Sequence, residues 1–173
     1  MLNLILKKKE NNALKLIQIN MLNFNEYKDL IKNSEKIYSK KLRTSITDYK
    51  KIIFEKNSIT FILFYHENYV GNIIGCSPIN DIKINNYGVI KKEKIIYIYN
   101  ILVLPYFQGL GYGNKLFEKF VNKAIEQKYE YVSGNFRLNA SYKIIKKYNI
   151  IYEKKIKNWE NSNEDFMYCI IKI

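Results

Sequence analysis

The sequence predicts a mixed α/β (α+β) domain, and three observations carry that reading. Apolar residues alternate with a period of two in seven short stretches, the spacing that lines one face of a strand. In four other stretches they recur with a period near 3.6, the spacing of one face of a helix. The two kinds of stretch interleave with no linker between them, and 173 residues at 47% hydrophobic content are enough to bury one core. The whole of 1–173 is therefore expected to be a single domain, with 1–13 frayed.

Taken in order, the pattern predicts a first strand over Leu14–Ile19 and a helix capped by Asn23 or Asn25 that runs to Ile31–Tyr38. Thr47 and Asp48 open a second helix carrying Ile52 and Ile53. Ile59–Tyr65 and Tyr69–Cys76 read as strands joined at His66-Glu67-Asn68, a hairpin. Residues 77–94 are polar and irregular, with Tyr87-Gly88 as a turn. Ile95–Val103 is the predicted central strand. Asn114–Lys128 is a predicted helix whose apolar face is Leu116, Phe117, Phe120, Val121, Ala124 and Ile125. A strand over Tyr131–Phe136, a helix over Asn139–Tyr148 and strands over Ile150–Ile156 and Phe166–Ile173 complete the chain.

Between the central strand and its helix lies the most informative segment, Val103-Leu-Pro105-Tyr-Phe107-Gln108-Gly109-Leu-Gly111-Tyr-Gly113. Three glycines in five residues allow a tight turn and let backbone N–H groups approach a ligand closely. The next helix adds its unpaired first-turn donors and the positive end of its dipole, which together suit a phosphate or pyrophosphate. A dinucleotide fold would want an acidic residue about 20 positions on, at the end of a following strand, and none is there.

The turn reads Gln/Arg-x-x-Gly-x-Gly/Ala, five residues beyond Val103 and three beyond Pro105. That pattern resembles the acetyl-CoA signature of the GCN5-related N-acetyltransferases (GNAT). The resemblance covers nearly the whole chain, since the order of elements is also that family's. It implies a mixed, mostly antiparallel sheet of about seven strands, splayed between the fourth and fifth, with about four flanking helices. It further implies acetyl-CoA as co-substrate and no metal. The pyrophosphate would lie on Gln108, Gly109, Gly111 and Gly113, and the pantetheine arm on Ile101 and Val103, with Leu102, Leu110, Tyr112, Asn114 and Asn139 also on the cofactor.

The run Tyr99-Asn100-Ile-Leu-Val103-Leu-Pro105-Tyr-Phe107-Gln108 is similar to that of the ribosomal-protein-alanine and N-terminal acetyltransferases. Asn158-Trp159 followed by Glu164-Asp165 resembles the hairpin that walls their peptide slot. The resemblance makes Trp159 one wall of an acceptor site, supported by Glu164 or Asp165, with Tyr97 nearby. A packing role for Trp159 is the competing reading. The family's helical tyrosine, which protonates the departing thiolate, has no counterpart, because Ile145 stands in its place. The subgroup's glutamate base is missing as well, with Ser133 or Asn135 in that region. The substitutes are Tyr142, one turn before Ile145, as acid, and Tyr99, which would hold a water, as base.

A formal charge of +13 invites a nucleic-acid reading. The lysines are scattered, however, and Lys, Asn, Ile and Tyr are over-used together, as an AT-rich coding sequence would produce. A solvated surface is the preferred reading, with no nucleic-acid or membrane partner. No transmembrane run is present, and the apolar start precedes its lysines, the reverse of a secretory signal, so a cytoplasmic protein is expected. Cys76 and Cys169 lie in apolar strands and define no disulfide framework. His66 is expected to be solvated. The chain would act as a monomer or homodimer.

The implied reaction is attack of a neutral primary amine on the thioester. An α-amine with pKa near 8 is about a tenth neutral at pH 7, and a lysine-type amine near 10.4 only about one part in two thousand, a difference of about 3 kcal/mol. Without an evident carboxylate base, a peptide N-terminal α-amine or an amino sugar is the favoured acceptor over polyamines or internal lysines. A CoA-binding sensor without catalysis is the alternative of a different class.

Overall fold

A computed structural model describes residues 13–84, 88–138 and 140–173, and its elements follow the hydrophobic periods closely. β1 (Leu14–Gln18), β2 (Ile59–Tyr65), β3 (Asn68–Cys76), β6 (Ile95–Val103), β7 (Tyr131–Arg137), β8 (Asn149–Ile156) and β9 (Phe166–Lys172) form one sheet in the order β1-β2-β3-β6-β7-β9-β8. The β6–β7 pair is parallel and the rest are antiparallel. Tyr65 pairs with Asn68, so the β2–β3 turn is His66-Glu67, with His66 at φ 52°.

Helices α1 (Phe24–Ser34), α2 (Ile46–Ile53), α3 (Tyr112–Glu126) and α4 (Ala140–Ile145) cover the two faces. On one face, Leu116, Phe117 and Phe120 of α3 and Ile145 of α4 pack with Ile73, Ile96 and Ile98 of the sheet. On the other, Ile31 of α1 and Tyr49 and Ile53 of α2 bury Ile62 and Ile74. Ser45 caps α2 by accepting the Asp48 N–H at 3.1 Å, while Asp48 accepts from the Ser45 hydroxyl.

Several expectations are corrected. Asn23 stands at the N-cap of α1, but its Oδ1 accepts the Asn20 N–H at 2.9 Å, closing the preceding loop instead of capping the helix. α1 stops at Ser34 and a 3₁₀ turn over Glu35–Ile37 follows. The segment read as irregular holds β4 (Ile82–Ile84) and β5 (Gly88–Ile90), a small pair whose Ile84 and Ile90 pack on Ile95 and Ile170. With only three residues a side, it lies below the length at which alternation is legible. Tyr87 of the predicted turn lies outside the described residues, while Gly88 has φ 74°. Ile125, assigned to the apolar face of α3, is 52% exposed. α4 ends at Ile145, short of Tyr148.

Candidate active site

β6 and β7 pair only over Ile95–Ile98 and Tyr131–Gly134, although β6 runs on to Val103 and β7 to Arg137. The two strands part there, and the backbone of 99–103 is left without a ladder partner on that side. One wall of the V is α4, the other the turn that starts α3. The fourth and fifth strands of the sheet are thus the splayed pair that the resemblance implied.

The cleft beyond the V has a volume of about 310 Å³. It is lined by Leu102, Val103, Phe107 and Ile144 on its apolar side and by Gln108, Gly109, Gly111, Tyr112, Gly113 and Asn114 along the turn. Gly109 and Gly111 sit at φ 80° and 82°, the left-handed region where a side chain is strained. Gly111 is the N-cap of α3 and, among the described residues, no side chain caps that helix, so the amides of its first turn are placed to receive an anion. Lys147, whose Nζ donates to Asn114 Oδ1 at 2.9 Å, adds positive charge beside the turn, and Lys143 lines the same cleft. Apolar walls, open amides and lysines suit a long thiol carrying phosphates.

Two residues of the turn behave differently from expectation. Gln108 is folded back, its Nε2 donating to Val103 O at 2.9 Å, so its side chain braces the turn. Leu110 is 60% exposed and does not line the cleft, because the left-handed glycines on either side turn it outward. Asn139 lies outside the described residues.

A second pocket, about 460 Å³, opens on the other side of β6. Tyr38, Ile101, Arg137 and Ser141 border both spaces and mark the junction where donor and acceptor would meet. Tyr97 and Tyr99 both line this pocket. Their placement rests on a bulge: Ile74 pairs with Asn100 and Gly75 with Ile98, so Tyr99 is the extra residue that the ladder skips. The Tyr97 hydroxyl accepts from Asn135 Nδ2 at 2.8 Å, and burial pushes its pKa up to about 12. The Tyr99 ring meets Tyr49 edge-on at 6.0 Å.

Trp159 and Glu160 form the outer wall. They belong to a loop in which Asn158, Glu160, Asn161 and Asn163 all have left-handed φ between 50° and 62°, a conformation that asparagine adopts readily and that strains Glu160. It is held by Trp159 N–H on Glu164 O at 2.9 Å, by Asn158 N–H on Asp165 Oδ1 at 3.1 Å and by Asn163 N–H on Asn158 Oδ1 at 2.9 Å. Lys41, from the loop between α1 and α2, donates to Asn161 O at 2.8 Å and ties the two sides together. The carboxylates of Glu164 and Asp165 line neither space. Glu164 makes a two-point ion pair with Arg137, Oε2 on Nε at 3.0 Å and Oε1 on Nη2 at 3.1 Å, and Asp165 pairs with Lys155 at 2.9 Å, which helps hold its pKa below the usual range.

The geometry does not favour the acid chosen from the sequence. The Tyr142 hydroxyl donates to Glu153 Oε2 at 2.8 Å, a bond that raises its pKa to about 12, and the side chain borders neither space. Nor does Ile145 face the cleft: it is 1% exposed in the core, and Ile144 is the residue turned toward the turn and Val103. The register of α4 is therefore rotated by one residue from the pattern-based assignment. Ser141, at the head of that face, donates to Arg137 O at 3.2 Å.

Sequence reasoning missed the Glu35 cluster altogether. Glu35 is 4% exposed, and burial raises its pKa. Opposing that shift, Tyr49 donates to Oε1 at 2.7 Å, the Thr44 N–H to Oε2 at 2.7 Å and Asn100 Nδ2 to Oε1 at 3.1 Å, with Arg43 nearby. Tyr38 is also pushed up, first by burial and then by the Glu35 charge. Arg137 stacks over the Tyr38 ring at 4.7 Å. Asn100 stood within the quoted motif, but Glu35 follows a run of polar helix residues that marks nothing.

Residues 24–144 match the family model described as Acetyltransferase (GNAT) family. A search of curated proteins returned no match. Among solved structures, the chain is similar to the ribosomal-protein-S18-alanine N-acetyltransferase from Escherichia coli at TM-score 0.67 and 12% identity, over 92% of this chain and 94% of that one. It is similar to Arabidopsis thaliana Naa50 in complex with the bisubstrate analogue CoA-Ac-MVNAL at TM-score 0.63 and 16% identity, over 91% and 97%. It also resembles a GNAT family acetyltransferase from Elizabethkingia anophelis with acetyl-CoA bound, at TM-score 0.61 and 18% identity, over 93% and 99%. With the splayed strands, the glycine turn and a family model spanning most of its length, this chain belongs to the GNAT family of acetyltransferases.

Proposed function

We propose that the protein transfers an acetyl group from acetyl-CoA to a primary amine, and that the amine is the α-amine of a peptide N-terminus. The observation that carries the first half is the pair of left-handed glycines beneath an uncapped α3 beside the open edge of β6. Acetyl-CoA would lay its pyrophosphate on the amides of 109–113 and its pantetheine along 101–103. In the reaction the amine lone pair forms the N–C bond while the carbonyl pair moves to oxygen. A backbone N–H of β6 supports that oxygen. As the pair returns, the C–S bond breaks, the thiolate takes a proton and the nitrogen gives one up.

For the acceptor, the support is the tied loop pair and the ionisation argument. Lys41 and Asn161 bridge the pocket beside Trp159, which suits a chain end more than a mid-chain lysine. The carboxylates that line the pocket are Asp48, which is occupied by Ser45 and Lys51, and Glu160. Neither borders the junction with the donor cleft, so the acceptor must supply its own neutral fraction, and an α-amine does so at about 3 kcal/mol less cost than a lysine. At the junction Tyr38 and Ser141 are the hydroxyls nearest both spaces, and solvent is the other source of the thiolate's proton.

The test is an acceptor screen with thiol release and mass spectrometry. Short peptides with free N-termini should be acetylated at the α-amine, and blocking that terminus should end turnover even when lysines remain. Higher kcat/KM for spermidine, an amino sugar or an internal lysine would reassign the acceptor. Binding of CoA without transfer to any amine would favour a sensor.

A further inference from the structure

The thiolate released by acetyl transfer needs a proton, and the junction of the two spaces beside β6 limits its source to a few groups. Among the described residues, Tyr38, Ile101, Arg137 and Ser141 border both the cleft and the pocket. Ile101 has no side-chain proton to give, and Arg137 stays a guanidinium at every working pH. Ser141 has a hydroxyl, but it donates to Arg137 O at 3.2 Å. The remaining hydroxyls reach one side alone: Thr44, Ser45, Tyr97 and Tyr99 line the pocket, and Tyr112 lines the cleft. Tyr38 is what remains. Among the described residues its hydroxyl donates to no acceptor, and it is not one of the atoms sealed from solvent without a partner. Its ring is held from several sides. The Tyr38 N–H donates to Glu35 O at 3.0 Å, Arg43 Nε donates to Tyr38 O at 2.9 Å, and the Arg137 guanidinium, itself fixed by two bonds to Glu164, stacks over the ring at 4.7 Å. Burial and then the Glu35 charge, with a smaller push from Glu164, keep the phenol un-ionised against the pull of Arg137. The hydroxyl therefore carries its proton throughout the pH range in which an amine is acetylated.

We infer that Tyr38 is a catalytic residue whose hydroxyl gives its proton to the sulfur as the C–S bond breaks. The inference rests on the acetyl-transfer reading and names the acid at that site. Nitrogen and sulfur are carried by the same carbon at that moment, so one hydroxyl at the meeting of the two spaces can serve both. The C–S electron pair moves to sulfur and takes the Tyr38 proton, while the phenol oxygen recovers a proton from the nitrogen, which has become positive by forming the N–C bond. One proton has then moved from nitrogen to sulfur, and Tyr38 ends as it began. The donor comes from the loop after α1 instead of from α4, which leaves Ile145 free to fill the core.

Tyr38→Phe tests this because it keeps the ring under Arg137 and removes only the hydroxyl. Single-turnover rates are measured with a tripeptide bearing a free α-amine and with two donors, acetyl-CoA and the selenoester analogue in which selenium replaces the thioester sulfur. A selenolate is a far weaker base than a thiolate and departs without a proton. With acetyl-CoA the variant should lose at least about tenfold in rate, while the half-saturating peptide concentration and CoA affinity stay within about twofold of the wild type. With the selenoester the loss should shrink to about twofold or less. A second variant carries difluorotyrosine in place of Tyr38, which keeps the hydroxyl but ionises at lower pH. Its rate with acetyl-CoA should fall at alkaline pH where that of the wild type still holds.

An unchanged rate with acetyl-CoA would overturn the inference, and so would an equal loss with both donors, because a residue that only shapes the site slows both alike. If Tyr38→Phe does not fold, the difluorotyrosine protein decides, and a pH profile identical to that of the wild type overturns the inference. A wild type that acetylates no tripeptide removes the peptide reading alone, and the same comparison is then made with the amine that the acceptor screen identifies. A wild type that acetylates no amine removes acetyl transfer, and the role of Tyr38 with it.

Discussion

At the scale of single residues, backbone conformation and burial decide what each position tolerates. Gly111 has φ 82° and open space around its missing side chain, so a bulkier residue meets no clash but strains the turn. Gly111→Val should therefore abolish acetyl-CoA binding in calorimetry while the thermal transition moves by only a few degrees. Ile145 is the opposite case. The resemblance put it where the family's tyrosine faces the thiolate, whereas at 1% exposure it fills the core beside α3. Ile145→Tyr should lower stability by about 1–3 kcal/mol or more through overpacking, read from the denaturant midpoint, and should not raise kcat.

At the scale of elements, the pocket proposed for the acceptor is made where two loops are pulled together. The 158–163 loop holds Asn158, Glu160, Asn161 and Asn163 in left-handed conformation, and the ordering of that loop depends on backbone bonds and on the Lys41 strap. Removing the strap frees the wall that carries Trp159. Lys41→Ala should raise KM for a short peptide several-fold and increase the acetylation of internal lysines relative to α-amines, with acetyl-CoA KM unchanged. Equal peptide selectivity in both proteins, measured by mass spectrometry on a peptide carrying both amines, would show that the wall does not depend on the strap.

At the scale of the whole molecule, a formal charge of +13 would attract the polyanionic cofactor proposed for the cleft. Long-range attraction of that kind is screened over about 10 Å at 0.1 M salt. Raising salt from about 0.02 to 0.3 M should raise acetyl-CoA KM at least about threefold, leaving kcat for a neutral peptide nearly constant. A flat salt profile would leave the local amides and lysines as the whole of the attraction.

What the sequence determined by itself is local: seven strands and four helices in order, the extent of β6, and the glycine turn with its helix. Those features are written in periods of two and 3.6 and in residues that tolerate positive φ, so neighbours along the chain suffice to read them. The short β4–β5 pair escaped because three residues carry too little period. Tertiary structure decided the rest. Glu35 meets Tyr49 across 14 residues and Asn100 across 65, and Arg137 meets Glu164 across 27. The register of α4 against α3 turned Ile144 to the cleft and Tyr142 to Glu153. Such meetings depend on strand order, a bulge and loop closure, and only burial makes a carboxylate among polar helix residues different from its neighbours.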